Sequence, residues 1–142
     1  MVADRFERLD DSLVSAMAGR LGAVGALRAC CLAYCRFGLE HPGYYDVLFR
    51  ANLALDPARP GDRPGERVFG RLVAAVQACI DGGVARRRDA SLMAVNVWVA
   101  LHGIVSLRNS RPNHAWPPAD MLIEAALSGQ VWLADAPKAP KP

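Results

Sequence analysis

Asp89-Ala-Ser-Leu-Met-Ala-Val-Asn-Val-Trp-Val-Ala-Leu-His-Gly-Ile-Val-Ser-Leu-Arg-Asn109 reads as one long helix that is apolar on nearly every side, with Asp89 as its N-cap. A helix at the surface of a lone chain turns a wide polar face to water. This one has none, so it must be covered on both sides, by its own domain or by a second chain. The polar exceptions Asn96, His102 and Ser106 must find partners there. Trp98 and His102 stand one turn apart, where a buried ligand pocket or a subunit contact would be built.

Outward from that helix the same period recurs. Phe6, Leu9, Leu13 and Met17 predict an amphipathic helix from Asp4 to Met17, and Val24, Leu27, Cys31, Tyr34, Cys35 and Gly38 mark one face of a second. Arg36 and Glu40 are placed as an i,i+4 pair on its outer side, and Pro42 ends it near His41. A short helix over Tyr44 to Asn52 carries Tyr45, Leu48 and Phe49. Asp56 to Gly65, dense in proline and glycine, predicts an exposed loop. Helix resumes near Glu66 with Val68, Leu72, Val76 and Cys79 on one stripe and stops at Gly82-Gly83. A last helix is expected from Trp116-Pro117-Pro118 to about Leu133, followed by a disordered tail over residues 134–142. No segment alternates with a period of two, so the expected fold is all-α, with six helices.

The chain has 142 residues, 52% of them hydrophobic and 22% charged, enough for one domain with a substantial core and too apolar for disorder. A net charge of +3 with scattered arginines and a short Arg86-Arg87-Arg88 run lacks the dense basic stripe of a nucleic-acid reader, so the chain by itself is not expected to grip DNA. Arg86 to Arg88 read as a solvated loop. Cys30, Cys31, Cys35 and Cys79 fall within apolar helical segments and read as small core residues in a reducing compartment. Leu92 to Leu107 is shorter than the ~20 apolar residues of a bilayer span, and no secretory leader opens the chain, so no membrane contact and a cytoplasmic location are expected.

The last two helices leave few polar positions. Two readings follow: they pair with their copies across a two-fold axis as a four-helix bundle, or they cross the middle of a single core. The first is the expected one, with Val97, Leu101, Val105, Leu122, Ala126 and Trp132 at the dimer face.

Val97-Trp98-Val99-Ala100-Leu101-His102-Gly103-Ile104-Val105-Ser106-Leu107, preceded by Asp81-Gly82-Gly83-Val84 and a capping Asp89, resembles the C-terminal domain of TetR-family transcriptional regulators. It is closest to those with a Trp and a His-Gly on the long penultimate helix. The stretch Leu27 to Arg50, with Tyr34-Cys35-Arg36-Phe37-Gly38 running into Glu40-His41-Pro42-Gly43-Tyr44-Tyr45, is similar to the same family's helix, His-Pro break and short following helix. The resemblance implies an effector-binding and dimerisation domain over residues 1–133, a homodimer, and a small, mainly hydrophobic effector. Residues 1–18 would match the helix that joins such a domain to an N-terminal helix-turn-helix. That DNA-reading domain is expected to be absent ahead of Asp4.

On that resemblance Tyr34, Phe37, Tyr45, Phe49, Trp98 and His102 are the candidate ligand-binding residues. Each also has a plainer reading as an aromatic of the core, or, for His102, as a histidine satisfied by a backbone carbonyl. Arg28 and Arg36 are read as solvated and Gly103 as a point of close helix approach. No His-Glu-x-x-His, Cys-x-x-Cys, Gly-rich phosphate loop or Gly-x-Ser-x-Gly occurs, and His41, His102 and His114 lie on separate segments. No catalytic residue, metal or cofactor is expected. The alternatives to a regulator domain are a helical pairing module without ligand and a small ligand-sequestering protein.

Overall fold

Among the described residues six helices form where the apolar spacing places them: α1 Val2–Met17, α2 Gly22–Glu40, α3 Pro42–Ala51, α4 Pro64–Asp81, α5 Ala90–Ser110 and α6 Ala119–Gln130. The computed structural model describes residues 2–19, 22–51 and 64–132, without the side chains of residues 2–6, 47–51 and 64. The expected loop over residues 56–63 and the expected tail over 134–142 therefore lie outside the described residues. Among the described residues no strand occurs, only an isolated antiparallel bridge between Ala85 and Trp132.

The centre of the bundle is α2 rather than α5. It packs against every other helix and buries Leu27, Cys30, Cys31, Ala33, Tyr34, Cys35, Phe37 and Gly38. Leu9 and Leu13 of α1 and Leu72, Val76 and Cys79 of α4 close round it. Gly38 lets α5 approach: a Cβ there would sit 2.6 Å from the buried Val105 Cγ1, and the Asn109 side-chain amide donates to the Gly38 carbonyl at 3.2 Å. The expected close approach at Gly103 is not found among the described residues, since a Cβ there meets nothing within 4 Å.

Helix ends follow local chemistry with two shifts. The Asp89 carboxylate accepts from the Leu92 N–H at 3.1 Å, as an N-cap should. Gly83, at φ +75°, ends α4, and the next amide, of Val84, donates back to the Cys79 carbonyl at 3.1 Å. The first shift is at Pro64 and Gly65, which were expected in the loop but open α4, because proline fits a helix's first turn. The second is at α6, which stops at Gln130 rather than near Leu133. Trp132 instead folds back, its N–H donating to the Leu127 carbonyl at 2.9 Å, while the Arg86 N–H bonds the Val131 carbonyl at 2.8 Å.

By length and composition α2 and α5 are both long and apolar enough to cross a bilayer, a weak sign that the core helix of a bundle also gives. Packing accounts for their character: α2 is covered by its neighbours, and the inner side of α5 lies on α2, α4 and α6.

Candidate functional site

Four of the six candidate ligand residues meet in one hydrogen-bonded chain. The Trp98 indole N–H donates to the Tyr34 hydroxyl at 2.9 Å, and the Tyr34 and Tyr45 hydroxyls lie 2.9 Å apart. The Tyr45 hydroxyl stands 2.6 Å from His102 Nδ1, and His102 Nε2 stands 3.3 Å from Ser106 Oγ. Helical spacing explains the assembly. Trp98, His102 and Ser106 rise one turn at a time along one flank of α5, Tyr34 faces them from α2, and Tyr45 comes from the first turns of α3. The rings pack as well as bond: Tyr45 stacks on His102 at 5.4 Å, Tyr34 meets Tyr45 edge-on at 6.0 Å, and Phe69 of α4 leans on Trp98 at 6.0 Å.

The polarity of this chain follows from what each group can do. An indole nitrogen only donates, so Tyr34 must accept from Trp98. Each hydroxyl hydrogen finds its own acceptor if Tyr34 donates to Tyr45, Tyr45 donates to His102 Nδ1, and His102 Nε2–H donates to Ser106. The opposite sense would put two donors on the Tyr34 oxygen and leave its own hydrogen without an acceptor in a buried site, a cost of about 1–3 kcal/mol. That sense of the bonds goes with a neutral His102 whose hydrogen is on Nε2, a tautomer assigned from the bonding pattern rather than observed. Burial lowers the His102 pKa from 6.5 and raises both tyrosines, for Tyr34 against the lowering pull of its bonds to Tyr45 and Trp98.

Phe37 is buried but outside the chain, tilted against His41 at 4.9 Å. It borders an open cleft of about 590 Å³ between α1 and α2, whose charged lining is Arg8, Asp11, Arg36 and Glu40. The Phe49 side chain lies outside the described residues. Phe69 and Ser106 join the site without having been singled out as ligand residues. Ser106 carried a signal, its four-residue spacing from His102; Phe69 carried none.

At the expected dimer face the structure turns the assigned residues inward. Val97, Leu101, Val105 and Trp132 are 0, 2, 0 and 4% exposed within the chain, so they fill its own core and are closed to a second chain. Leu122 and Ala126 are half-buried. The opposite side of α5 is bare: Leu92, Val95, Val99 and Leu107 are exposed, as is Met121 on α6.

Charged side chains taken as surface filler in fact pin the bundle. Arg28 is not solvated: its Nε and Nη2 donate to the two Glu124 oxygens at 2.9 and 2.6 Å, joining α2 to α6. The Trp132 indole N–H donates to the same carboxylate at 3.1 Å, and the guanidinium lies 5.3 Å from that ring. The bond to Arg28 holds the Glu124 carboxyl below its usual range. Arg71 of α4 likewise grips the buried Asp10 of α1 through Nε and, at 2.8 Å, through Nη2. Single residues on otherwise regular polar faces gave no sign of these pairings.

The four cysteines are buried and unpaired by disulfides. Burial pushes Cys30 and Cys35 up to about 12 and Cys79 to about 11, far from the thiolate a nucleophile or metal ligand needs. Among the described residues no three His, Cys, Asp or Glu side chains converge as a metal site.

The chain matches the family described as "Tetracyclin repressor-like, C-terminal domain" over residues 27–129. No curated protein matches it. A solved structure described as that of a protein with unknown function from Rhodococcus sp. RHA1 is similar, with a TM-score of 0.78 and 23% identity. The match covers 90% of this chain and 66% of the other, and at that identity the likeness speaks for the fold alone.

Proposed function

Since the chain belongs to the tetracycline repressor-like C-terminal domain family, we propose that it senses a small, mainly hydrophobic effector and dimerises, in the cytoplasm, as the regulatory part of a transcription factor rather than as an enzyme. The proposal places a DNA-reading helix-turn-helix ahead of α1, with α1 as the connecting helix. The observation that carries the reading is the double character of α5. One side is sealed in the core, while the other presents Leu92, Val95, Val99 and Leu107 to solvent in a chain with no charged group among them. A bare apolar face of this kind marks a contact surface, and the isologous pairing of α5 and α6 across a two-fold axis would cover it. Gly103, with open space above it, sits between Val99 and Leu107 and lets a second copy approach closely.

Effector binding is supported by the aromatic and hydroxyl groups of Tyr34, Tyr45, Trp98 and His102, which gather three helices at one point. A ligand that prefers one arrangement of those helices shifts its population and moves α1 with it. Binding is tested by thermal melts with a panel of apolar carboxylates, ketones and aromatics. A ligand at one hundred times its Kd adds about 2.7 kcal/mol, and Trp98→Ala must remove that gain while light scattering still reports two chains. One observation favours a second reading, a pairing module without ligand: the polar groups of the site already satisfy one another. A dimer that no compound stabilises would establish it.

A further inference from the structure

Three helices turn apolar faces to one trough. Val14, Met17 and Ala18 of α1, Ala23 and Ala26 of α2, and Ala74, Ala75 and Ala78 of α4 line an open space of about 460 Å³. Their spacing of three and four residues means that each helix contributes one face. A single charged group completes the lining, the Arg71 guanidinium, one turn before Ala75. The trough shares no residue with the aromatic group of Tyr34, Tyr45, Trp98 and His102.

Arg71 is engaged on one edge. Its Nε and Nη2 donate to the two oxygens of the buried Asp10, which fixes the side chain across α4 and α1. A guanidinium carries five N–H groups, so this pairing leaves three, on the edge that Nη1 shares with Nη2. The side chain is 40% exposed, which gives a second oxyanion access to it. Arg67, one turn earlier on α4 and exposed, adds positive charge at the same end, while Asp11 lines the cleft on the other flank of α1.

Shape and charge together select the occupant. From Arg71 to Ala78 the α4 wall runs two turns, about 10 Å. The lining offers no aromatic ring to stack on and no polar group besides Arg71. A matching guest has one anionic head and a straight apolar chain. We propose that the trough binds a linear aliphatic carboxylate, its head on the Nη1 edge of Arg71 and its chain laid along Ala74, Ala75 and Ala78 against Val14 and Met17. Each methylene taken out of water adds to the affinity, and the charge-assisted bond at the head fixes the direction of the chain. The bound chain bridges α1 and α4 beside the pair of Asp10 and Arg71. This is a second ligand site, and it stands apart from the effector reading of the aromatic group.

The test uses the full chain at neutral pH with octanoate as the probe. In methyl spectra of the wild type, octanoate should shift Met17, Ala74 and Ala78 and give nuclear Overhauser contacts from its chain to those methyls. Contacts to the Trp98 ring instead would overturn the trough and leave the effector reading standing, so the two are told apart. Octanol has the same chain without the charge, and it should bind at least about tenfold more weakly than octanoate, the loss of a charge-assisted pair. Ala78→Leu, at an exposed position, fills the trough without touching Asp10 or Arg71 and should weaken octanoate by a similar factor. Octanol binding as tightly as octanoate, unchanged octanoate binding in Ala78→Leu, or no shift of the trough methyls refutes the site. The contacts and the octanol comparison are made on the wild type, so they decide the matter even if Ala78→Leu folds poorly.

Discussion

The inner and outer sides of α5 are built from the same residues and have opposite fates. Val97, Leu101 and Val105 are sealed, whereas Val99, two residues from Val97, is 63% exposed and Leu92 is 60% exposed. Hydropathy cannot separate the two sides, because burial in a chain's own core and burial against another chain call for the same side chains. What separates them is the position of the neighbouring helices. The inner side lies on α2, α4 and α6, and the outer side carries the exposed Leu92, Val95, Val99 and Leu107. The difference also relocates the proposed interface by half a turn, from Val97, Leu101 and Val105 to Leu92, Val95, Val99 and Leu107.

The sharpest test of that contrast is truncation on the sealed side. Leu101→Ala should cost about 2–5 kcal/mol, the range for a buried leucine whose cavity cannot collapse, read as a fall in denaturant midpoint. A loss under 1 kcal/mol would mean that the inner side is not core. Next comes the crossing of α2 and α5: in Gly38→Ala the new methyl must push Val105 aside, for about 1–3 kcal/mol of overpacking. The converse experiment is made on the bare side. Val99→Glu together with Leu107→Glu should change the stability of the single chain by no more than about 0.5 kcal/mol each, while the mass by light scattering falls from two chains to one. If these substitutions unfold the protein as Leu101→Ala does, the two sides are not different after all.

The smallest effect belongs to the ion pair behind α5. The Glu124 carboxyl is lowered in the fold by Arg28, so its contribution is fully present above the unfolded carboxylate value of about 4.3 and is lost as pH falls through the lower folded value. Glu124→Gln should flatten that part of the acid limb in a stability-versus-pH curve and leave the neutral region lower but level. An unchanged acid limb would show that the pair adds nothing to the joint between α2 and α6.

The number and order of the helices were written in the spacing of apolar residues, and their ends in Pro42, Gly83 and Asp89, since helix period and capping are local properties that need no knowledge of distant neighbours. The convergence of Trp98 and His102 on one flank of α5 was legible for the same reason. Their meeting with Tyr34 and Tyr45 came from likeness to a family rather than from any local signal. Which side of α5 is core, the pairing of Arg28 with Glu124 and of Arg71 with Asp10, and the run of polar contacts from Trp98 to Ser106 were settled by tertiary structure alone. Each of these depends on which side chains are brought within a few ångströms from segments dozens of residues apart, and a helix pattern holds no record of that distance.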